Sequence, residues 1–372
     1  MKQTHCIDPL RCAVKSLFKV AATYLVLIGL STFLVACNFG NAENRASAET
    51  LKIGVVTYRS DDTFINALTA KITASVRQQE STMQQKFVLN IISANGDQNQ
   101  QNVAVERMLR QGYDVMCVNL VDRTTASVII QKCKRESVPL IFFNREPVQE
   151  DMRLWNQIYY VGTPSEDPGS LQGEILLDLA KSDYSRIDQN GDGKIQYVML
   201  EGESSHQDAL LRTDSSVKVL TDEGFVMDKL ASDTADWEFG KAYNIMSTWL
   251  NEYADEIEVV ISNNDDMALG ALRAAEVYGI DLLRSDAPIF LGFDGTPTGL
   301  TAIKNGVLFG SVINDYVEQA SVISKLAINL ALGKDITTID FPTIEGNYCR
   351  VPHRMVTIAN INSELNKAEE IR

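Results

Sequence analysis

From residue 51 onward, short apolar runs alternate with stretches whose apolar residues recur at helical spacing. Buried strands are predicted over LKIGVVTY (51–58), FVLNIISA (87–94), DVMCVNL (114–120) and VPLIFFN (138–144). Helical spacing is shown by Phe64, Ile65, Leu68, Ile72 and Val76, and helices are also predicted over 103–110 and 126–136. This alternation predicts a parallel sheet with helices on both faces.

The second half of the chain repeats the pattern. Strands are predicted over 195–202, 224–230, 257–263, 288–294 and 310–315, with helical stretches between them. A length of 372 residues fits about two domains. We therefore expect an α/β protein of two Rossmann-like lobes with parallel sheets, and a crossover between them near residues 162–166.

The first residues have the pattern of an export signal. A basic segment precedes the apolar run Val20–Ala36, which ends in LVAC (34–37). Small residues before Cys37 resemble a bacterial lipobox, so we expect 1–36 to be a signal peptide, Cys37 to carry lipid, and 37–49 to be a flexible tether to the membrane. A retained transmembrane anchor is the alternative, because the run is near the lower limit for a spanning helix.

Charge and motifs exclude several function classes. The formal charge is −15 and the chain has no Lys/Arg block, whereas nucleic-acid binding needs a basic face. The first strand is followed by neither G-x-G-x-x-G nor a P-loop, so the nucleotide-binding motifs are absent.

The cysteines of the mature chain have no metal-binding spacing. We expect Cys117, Cys133 and Cys349 to be unpaired thiols in or near the core. A disulfide between Cys117 and Cys133 is the alternative, which spacing does not decide.

Polar residues cluster just past the predicted strand ends. They are Asp61, Asp62, Asn144, Asn263, Asn264, Asp294 and Asn314. Each alone is a common helix N-cap. Because ligands of open parallel sheets bind outside the carboxyl ends of the strands, the set together predicts a ligand site there.

The stretch DQNGDGKIQYVML (188–200) begins like the calcium loop of an EF-hand. Acidic or amide residues stand at loop positions 1, 3 and 5, and Gly193 takes the sharp-turn position. Position 12 should be a bidentate Glu but is Met199, and the residues that follow are typical of a strand. The loop is therefore a broken calcium site, a metal-free Asx/Gly turn, or a site completed from elsewhere in the chain.

These stretches together resemble the periplasmic glucose/galactose-binding protein family, the sugar-binding components of ABC importers with the type I periplasmic-binding fold. The motifs that carry the resemblance include SDDTF (60–64), FFNREP (142–147), GESSHQDALLRT (202–213), TADWE (234–238) and GFDGTP (292–297). The resemblance implies two lobes joined by a three-crossing hinge, one of 50–163 with 315–350 and the other of 164–314 with 351–372. It also implies a monomeric, non-enzymatic protein that delivers D-galactose or D-glucose to an ABC permease.

In this family a Glu from a distant strand completes the loop, and Glu258 stands at the matching position. The resemblance therefore implies a structural Ca²⁺ held by Asp188, Asn190, Asp192, the Lys194 carbonyl, Gln196 and Glu258. Met199 is then free to be a core residue of the following strand.

The resemblance also implies a sugar site, in which aromatic rings stack on the apolar faces of a pyranose and polar groups bind its hydroxyls. Matching positions are Asp62, Phe64, Asn144, His206, Asp208, Arg212, Trp237, Asn264, Asp294 and Asn314. The motif HQDALLR places His206 and Asp208 at a helix start with Arg212 one turn later. One departure is Ser204–Ser205, where the family usually has Pro-Gly, and a looser turn there would alter affinity.

Other functions remain as alternatives. The protein could serve a membrane chemoreceptor or sensor kinase, since closure of the lobes on the sugar would be the same. A glycosidase with Asp62 and Asp294 as its acid pair is disfavoured, because a site that encloses one monosaccharide has no room for a leaving group. A sugar-responsive repressor is disfavoured by the export signal and the absence of a DNA-binding head.

Overall fold

The computed structural model describes residues 50–164, 169–336, 339 and 344–370. The predicted signal peptide, Cys37 and the tether lie outside these residues, as does part of the predicted crossover near 162–166. Within the described part, no helix combines the length and apolar character needed to cross a membrane.

The described strands form two sheets. In chain order they are β1 (Leu51–Thr57), β2 (Phe87–Ser93), β3 (Val115–Val118), β4 (Leu140–Phe143), β5 (Ile158–Gly162), β6 (Ile195–Glu201), β7 (Met227–Thr234), β8 (Val259–Ser262), β9 (Ile289–Leu291), β10 (Gly310–Ile313), β11 (Ile344–Glu345), β12 (Tyr348–Arg350) and β13 (Arg354–Thr357). The first sheet has the order β11-β12-β5-β4-β3-β1-β2 and the second β13-β10-β9-β8-β6-β7. Neighbouring strands are parallel, except that β11 pairs antiparallel with β12 and β10 with β13.

Helices connect the strands. They are α1 (Thr63–Met83), α2 (Gln98–Arg110), α3 (Ala126–Glu136), α4 (Gln149–Met152), α5 (Ser170–Ser182), α6 (Tyr184–Ile187), α7 (Gln207–Asp222), α8 (Phe239–Tyr253), α9 (Asp265–Tyr278), α10 (Pro297–Lys304), α11 (Tyr316–Ala331) and α12 (Ile361–Glu370), with a 3₁₀ turn at Arg123–Thr125. The predicted parallel α/β architecture is confirmed.

The central strands of each sheet are buried on both faces. In the first sheet, Ile141 packs into the core cluster shared with α1 and α11, whereas its neighbour Phe142 packs with α2 and α3 on the opposite face. Alternate strand residues point to opposite sides, so a strand covered by helices on both faces has a continuous apolar run. This is why these strands could be recognised from sequence.

The chain passes between the two sheets three times. It crosses first between β5 and β6, returns after β10 so that α11 packs on α1 of the first lobe, and crosses again between β12 and β13. The final strands β11 to β13 were not predicted; most residues of β12 and β13 are only half-buried, so neither has the continuous apolar run of the central strands.

Most predicted boundaries differ from the observed ones by a few residues, and two of these differences have a clear physical reason. Helix α2 begins five residues before the predicted Val103, because the Asp97 carboxylate caps it by accepting from the Asn99 and Gln100 N–H groups and its first turn is polar. Strand β7 begins at Met227 and not at residue 224, because Gly224 has φ +90° and terminates the preceding helix.

The expectation that the three cysteines are unpaired core thiols is confirmed. Cys117, Cys133 and Cys349 are buried free thiols. Burial raises the pKa of both Cys117 and Cys133 to about 12, so these thiols are protonated at neutral pH and act as small apolar core residues.

Candidate functional site

The polar residues past the strand ends both cap helices and line the cleft. Asp62 follows β1, and its Oδ1 accepts from the Ile65 N–H at 2.8 Å at the start of α1. Asn264 follows β8, and its Oδ1 accepts from the Met267 N–H at 2.9 Å at the start of α9. Capping fixes the direction of each side chain, so the two functions that sequence presented as alternatives coexist in the same residues.

A small pocket between the lobes brings most of the predicted sugar residues together. Its walls come from both sheets, and the free space is about 30 Å³, close to the volume of one water molecule. A sugar ring can therefore enter only when the lobes separate. The predicted residues that line this pocket are Asp62, Phe64, Asn144, His206, Arg212, Trp237, Asn264 and Asp294.

The remaining two predicted residues lie beside the pocket. Asp208 faces an adjoining larger cavity. Asn314 is buried, its N–H donates to the Asp294 carbonyl at 3.0 Å, and its Oδ1 accepts from Gln319 Nε2. In this arrangement Asn314 supports the backbone of Asp294.

Arg212 is a buried cation of the site. Its Nη1 donates to the Asn263 carbonyl at 2.9 Å, lies 3.6 Å from Asp294, and its Nη2 lies 3.7 Å from Asp208. Burial raises the pKa of Asp294 well above its ordinary value, and Arg212 opposes that rise. Burial also raises the pKa of Asp208, again against Arg212. Both carboxylates are thus poorly solvated acceptors held near one guanidinium.

His206 is a neutral hydrogen-bond donor facing the cleft. Its Nδ1 accepts from the Asp208 N–H at 3.1 Å, which caps α7, so the proton of the neutral ring is on Nε2. Burial, with Arg145 and Arg212 nearby, lowers the pKa of His206 well below 6.5. The imidazole packs edge-on against Trp237, with ring centres 5.3 Å apart.

The backbone is strained at three of the predicted residues. Asn144, Trp237 and Asp294 have φ of 61°, 67° and 112°, a region that non-glycine residues seldom occupy. Such strain is kept where the surrounding structure demands a particular side-chain direction.

Gly202 makes room for the Trp237 ring. A Cβ at Gly202 would lie 2.1 Å from the Trp237 ring atom Cη2. The absence of a side chain at residue 202 therefore fixes the position of the indole.

The EF-hand-like loop lies at the other end of the second sheet, and Glu258 reaches it. The Glu258 carboxylate accepts from the backbone N–H groups of Gln189 at 2.6 Å, Asn190 at 3.2 Å and Gln196 at 2.9 Å. Burial raises the pKa of Glu258, against these hydrogen bonds. Met199 is 1% exposed within β6, so its expected place in the core is confirmed.

The loop side chains are also bonded to one another. Asp188 accepts from the N–H groups of Gly191, Asp192 and Gly193, and Gln196 Nε2 donates to Asp192 at 2.7 Å. Within the described residues, no three His, Cys, Asp or Glu side chains are gathered as a metal centre. The donor set is nevertheless all oxygen with carboxylates from two elements, which is the chemistry Ca²⁺ prefers.

A comparison with protein families decides what kind of protein this is. Residues 53–335 match the family described as the periplasmic binding protein domain. The chain belongs to that family. The fold, with two parallel α/β lobes, is the type I fold of these periplasmic binding proteins.

The sequences and structures of known relatives match this periplasmic binding protein over most of its length. It is 35% identical over 337 residues to the D-galactose/methyl-galactoside binding periplasmic protein MglB of Haemophilus influenzae, covering 90% of this chain and 98% of the relative. It is 29% identical to a putative rhizopine-binding protein of Rhizobium meliloti, covering 73% and 81%. A crystal structure of an ABC transporter solute binding protein from Bacillus halodurans with bound myo-inositol superposes with TM-score 0.70 at 27% identity, covering 86% and 99%.

Family membership settles two broader expectations. The chain is an exported binding protein of the periplasmic class, and it is a binding protein and not an enzyme. The glycosidase alternative is thereby removed.

Sequence reasoning missed three residues of this binding protein's pocket, Tyr58, Ile65 and Arg145. Tyr58 and Arg145 both line it; the Tyr58 hydroxyl donates to Asp62 at 2.5 Å, and the Arg145 guanidinium lies 3.8 Å from the centre of the Tyr58 ring. Tyr58 is the last residue of the first predicted strand, and Arg145 is next to Asn144, which was singled out. Their position at strand ends was the available signal.

Proposed function

We propose that the protein is the sugar-binding component of an ABC importer and that it binds D-galactose or D-glucose between its lobes. The observation that carries the proposal is the convergence of Phe64 and Trp237, one from each lobe, with polar residues from several strand ends around one pocket. The 35% identity to the galactose-binding relative over most of both chains supports the choice of hexose.

The side chains divide the work of recognition by their chemistry. Trp237 and Phe64 offer apolar faces to the C–H faces of the ring. Asp62 and Asp294 accept hydrogen bonds from hydroxyls, and His206 and Arg212 donate them. A ligand that fails to satisfy these buried groups leaves them unpaired, which is the source of selectivity.

The two lobes are expected to close on the sugar, because the groups that bind it lie on both of them. A sugar that contacts both lobes binds the closed arrangement better than an open one and shifts the population toward it. The closed, sugar-loaded form is what the permease would recognise.

The test is a titration with D-galactose, D-glucose and D-ribose, followed by calorimetry and tryptophan fluorescence. We expect saturable binding of at least one hexose, with a fluorescence change that persists in Trp155→Phe and is lost in Trp237→Phe. Binding of ribose alone, or of none of the three sugars, would remove the hexose proposal and leave a binding protein with another ligand.

A structural Ca²⁺ and a lipid anchor belong to the same proposal. Asp188, Asn190, Asp192, Gln196, the Lys194 carbonyl and Glu258 would hold the ion and so tie the loop to β8. Calcium titration by calorimetry tests this, and absence of heat would refute it.

If Cys37 carries lipid, the protein should partition into the detergent phase of a phase-separating detergent, and Cys37→Ser should abolish this partition. An unchanged partition of that variant would exclude the anchor.

A further inference from the structure

Two residues outside the small pocket, Phe293 and His353, connect it to the hinge. His353 is the last residue of the third crossing between the lobes, between β12 of the first sheet and β13 of the second. Phe293 is fully buried between the end of β9 and Asp294. Neither lines the small pocket, so any effect of these two residues on a sugar there must act through a residue that does.

The Phe293 ring carries the guanidinium of Arg212. The Arg212 Cζ lies 3.6 Å from the centre of this ring, which is the geometry of a cation over an aromatic face. The Trp237 ring is farther from Arg212, at 5.8 Å. Arg212 is 4% exposed and Phe293 0%, and a cation–π contact shielded from water is stronger than an exposed one.

The other contacts of Arg212 hold its guanidinium only in part. Its Nη1 donates to the Asn263 carbonyl at 2.9 Å, whereas the carboxylates of Asp208 and Asp294 lie 3.7 and 3.6 Å away, beyond hydrogen-bond length. Its Nε is buried and has no hydrogen-bond partner among the described residues. Because one hydrogen bond does not fix the plane of a guanidinium, stacking on Phe293 sets the direction of the remaining N–H groups.

His353 packs against the same phenylalanine. The ring centres of His353 and Phe293 are 5.1 Å apart and the ring planes are at 78°, an edge-to-face arrangement. The His353 Nε2 is buried without a hydrogen-bond partner in the described part of the chain. Burial and the nearby Arg212 lower the pKa of His353 to about 3, so at neutral pH the ring is uncharged and does not repel the guanidinium.

We propose that Phe293 and His353 are positioning residues of the sugar site, which orient the Arg212 guanidinium toward the ligand and link its direction to the hinge. A hinge segment absorbs backbone rotation when lobes move, so opening displaces the His353 ring from Phe293 and loosens Arg212, and closure restores the stack. This inference rests on the proposed function, because it explains how a donor of that same site is held.

The first test removes the aromatic face under Arg212. Phe293→Leu keeps the position apolar but cannot stack on a cation. Phe290→Leu is the matched control, because Phe290 is 1% exposed in β9, three residues earlier, and packs in the core on the opposite face of the sheet. We expect Phe293→Leu to weaken hexose binding by about tenfold in calorimetry and Phe290→Leu to stay within about twofold. Equal weakening in both variants, or normal binding by Phe293→Leu, would overturn the inference.

The second test asks whether the ring at the hinge matters. His353→Ala removes the ring, whereas His353→Phe keeps an uncharged ring that can pack edge-on against Phe293. We expect the alanine variant to bind hexose about threefold to tenfold more weakly and the phenylalanine variant to stay within about twofold of the wild type. Equal loss in both variants, or no loss in either, would exclude the proposed packing role of His353.

The third test needs no sugar and therefore separates this inference from the proposed function. Protons above an aromatic face resonate upfield in nuclear magnetic resonance spectra. The Arg212 Nε–H signal of the full chain, assigned by its loss in Arg212→Lys, should move downfield in Phe293→Leu and keep its position in Phe290→Leu. An unshifted signal in Phe293→Leu would overturn the inference even if hexoses bind. If the signal shifts as expected and no hexose binds, the stack on Phe293 stands and the proposed function fails.

Discussion

The Arg145 guanidinium of the first lobe lies 2.9 Å from the Glu203 carboxylate of the second. The Arg145 side chain is 7% exposed and that of Glu203 21%, so solvent screens this pair less than a surface pair. Because its partners come from different lobes, the pair exists only when the cleft is closed. The pair therefore stabilises the closed arrangement. Glu203 itself does not line the small pocket, so it can be changed without altering the pocket wall.

The first prediction concerns this pair. Glu203→Gln removes one charge and leaves Arg145 without its closest carboxylate, so we expect hexose affinity to fall by about fivefold to thirtyfold, or about 1–2 kcal/mol after allowance for partial exposure. The dissociation constant measured by calorimetry checks this. Small-angle scattering of the sugar-free protein should show a more open average shape.

The matched control is Glu276→Gln, which breaks the exposed pair with Arg273 at 3.0 Å far from the cleft. It should leave affinity unchanged. An equal loss of affinity in both variants would mean that net charge, and not the cross-lobe pair, controls closure.

The second prediction concerns the space under Trp237. A Cβ at residue 202 would meet the indole at 2.1 Å, so Gly202→Ala must displace the ring that is proposed to stack on the sugar. We expect hexose affinity to drop by about tenfold or more, since misplacing an aromatic platform removes its contact with the ligand. Calorimetry measures the affinity, and circular dichroism should show a retained fold.

Gly240→Ala is the control for that substitution. Gly240 lies in α8, and nothing is within 4 Å of a Cβ built there. Replacement should stabilise the helix slightly and leave affinity alone. If Gly202→Ala also binds normally, the indole position does not matter to recognition.

Much of the fold was predictable because its strands are buried on both faces. β3 and β4 have every residue buried, which makes each a short continuous apolar run in the sequence. The polar residues after such strands were also visible, and the structure places Asp62 and Asn264 at helix starts facing one pocket. The start of α2 was missed because its first turn carries no apolar residue.

The contacts across the cleft could not be predicted from the chain alone. Arg145 and Glu203 are separated by 58 positions, and their meeting depends on how the lobes are oriented. The larger cavity that adjoins the small pocket has the same origin, since its walls come from both lobes and no local pattern marks an empty volume. Resemblance placed Asp208 with the sugar residues, but only the arrangement of the two lobes shows that it faces the larger space.

The third prediction is a pH dependence that arises from His206. Its pKa is lowered well below 6.5 by burial, so the unfolded chain takes up a proton as the pH falls through about 6.5 whereas the folded chain does not. The wild-type protein should then lose up to about 1.36 kcal/mol of unfolding free energy per pH unit relative to His206→Asn. Asn keeps a side-chain oxygen that can cap α7.

Chemical denaturation of both proteins from about pH 7.5 down to about pH 5 measures this difference. The difference isolates His206, because all other titrating groups are common to the two proteins. The unfolding free energy of the wild type, relative to that of His206→Asn, should decrease as the pH falls. If the unfolding free energies of the two proteins change equally with pH, His206 is protonated normally in the folded protein. It is then not the neutral donor inferred from its hydrogen bond to Asp208.

The last prediction concerns Glu258, which joins β8 to the EF-hand-like loop. If a Ca²⁺ ion is bound there, free calcium at about 100 times its dissociation constant stabilises the folded protein by about 2.7 kcal/mol. Glu258→Gln keeps the shape of the side chain but cannot offer a bidentate carboxylate, so we expect calcium to raise the melting temperature of the wild type and not that of the variant.

Asp228→Asn is the control, because Asp228 pairs with Lys194 at 2.9 Å at the edge of the loop but is not a proposed ligand, and it should keep the calcium response. A wild-type melting temperature that is the same in calcium and in chelator would mean that the hydrogen bonds from Gln189, Asn190 and Gln196 to Glu258 hold the loop without a metal.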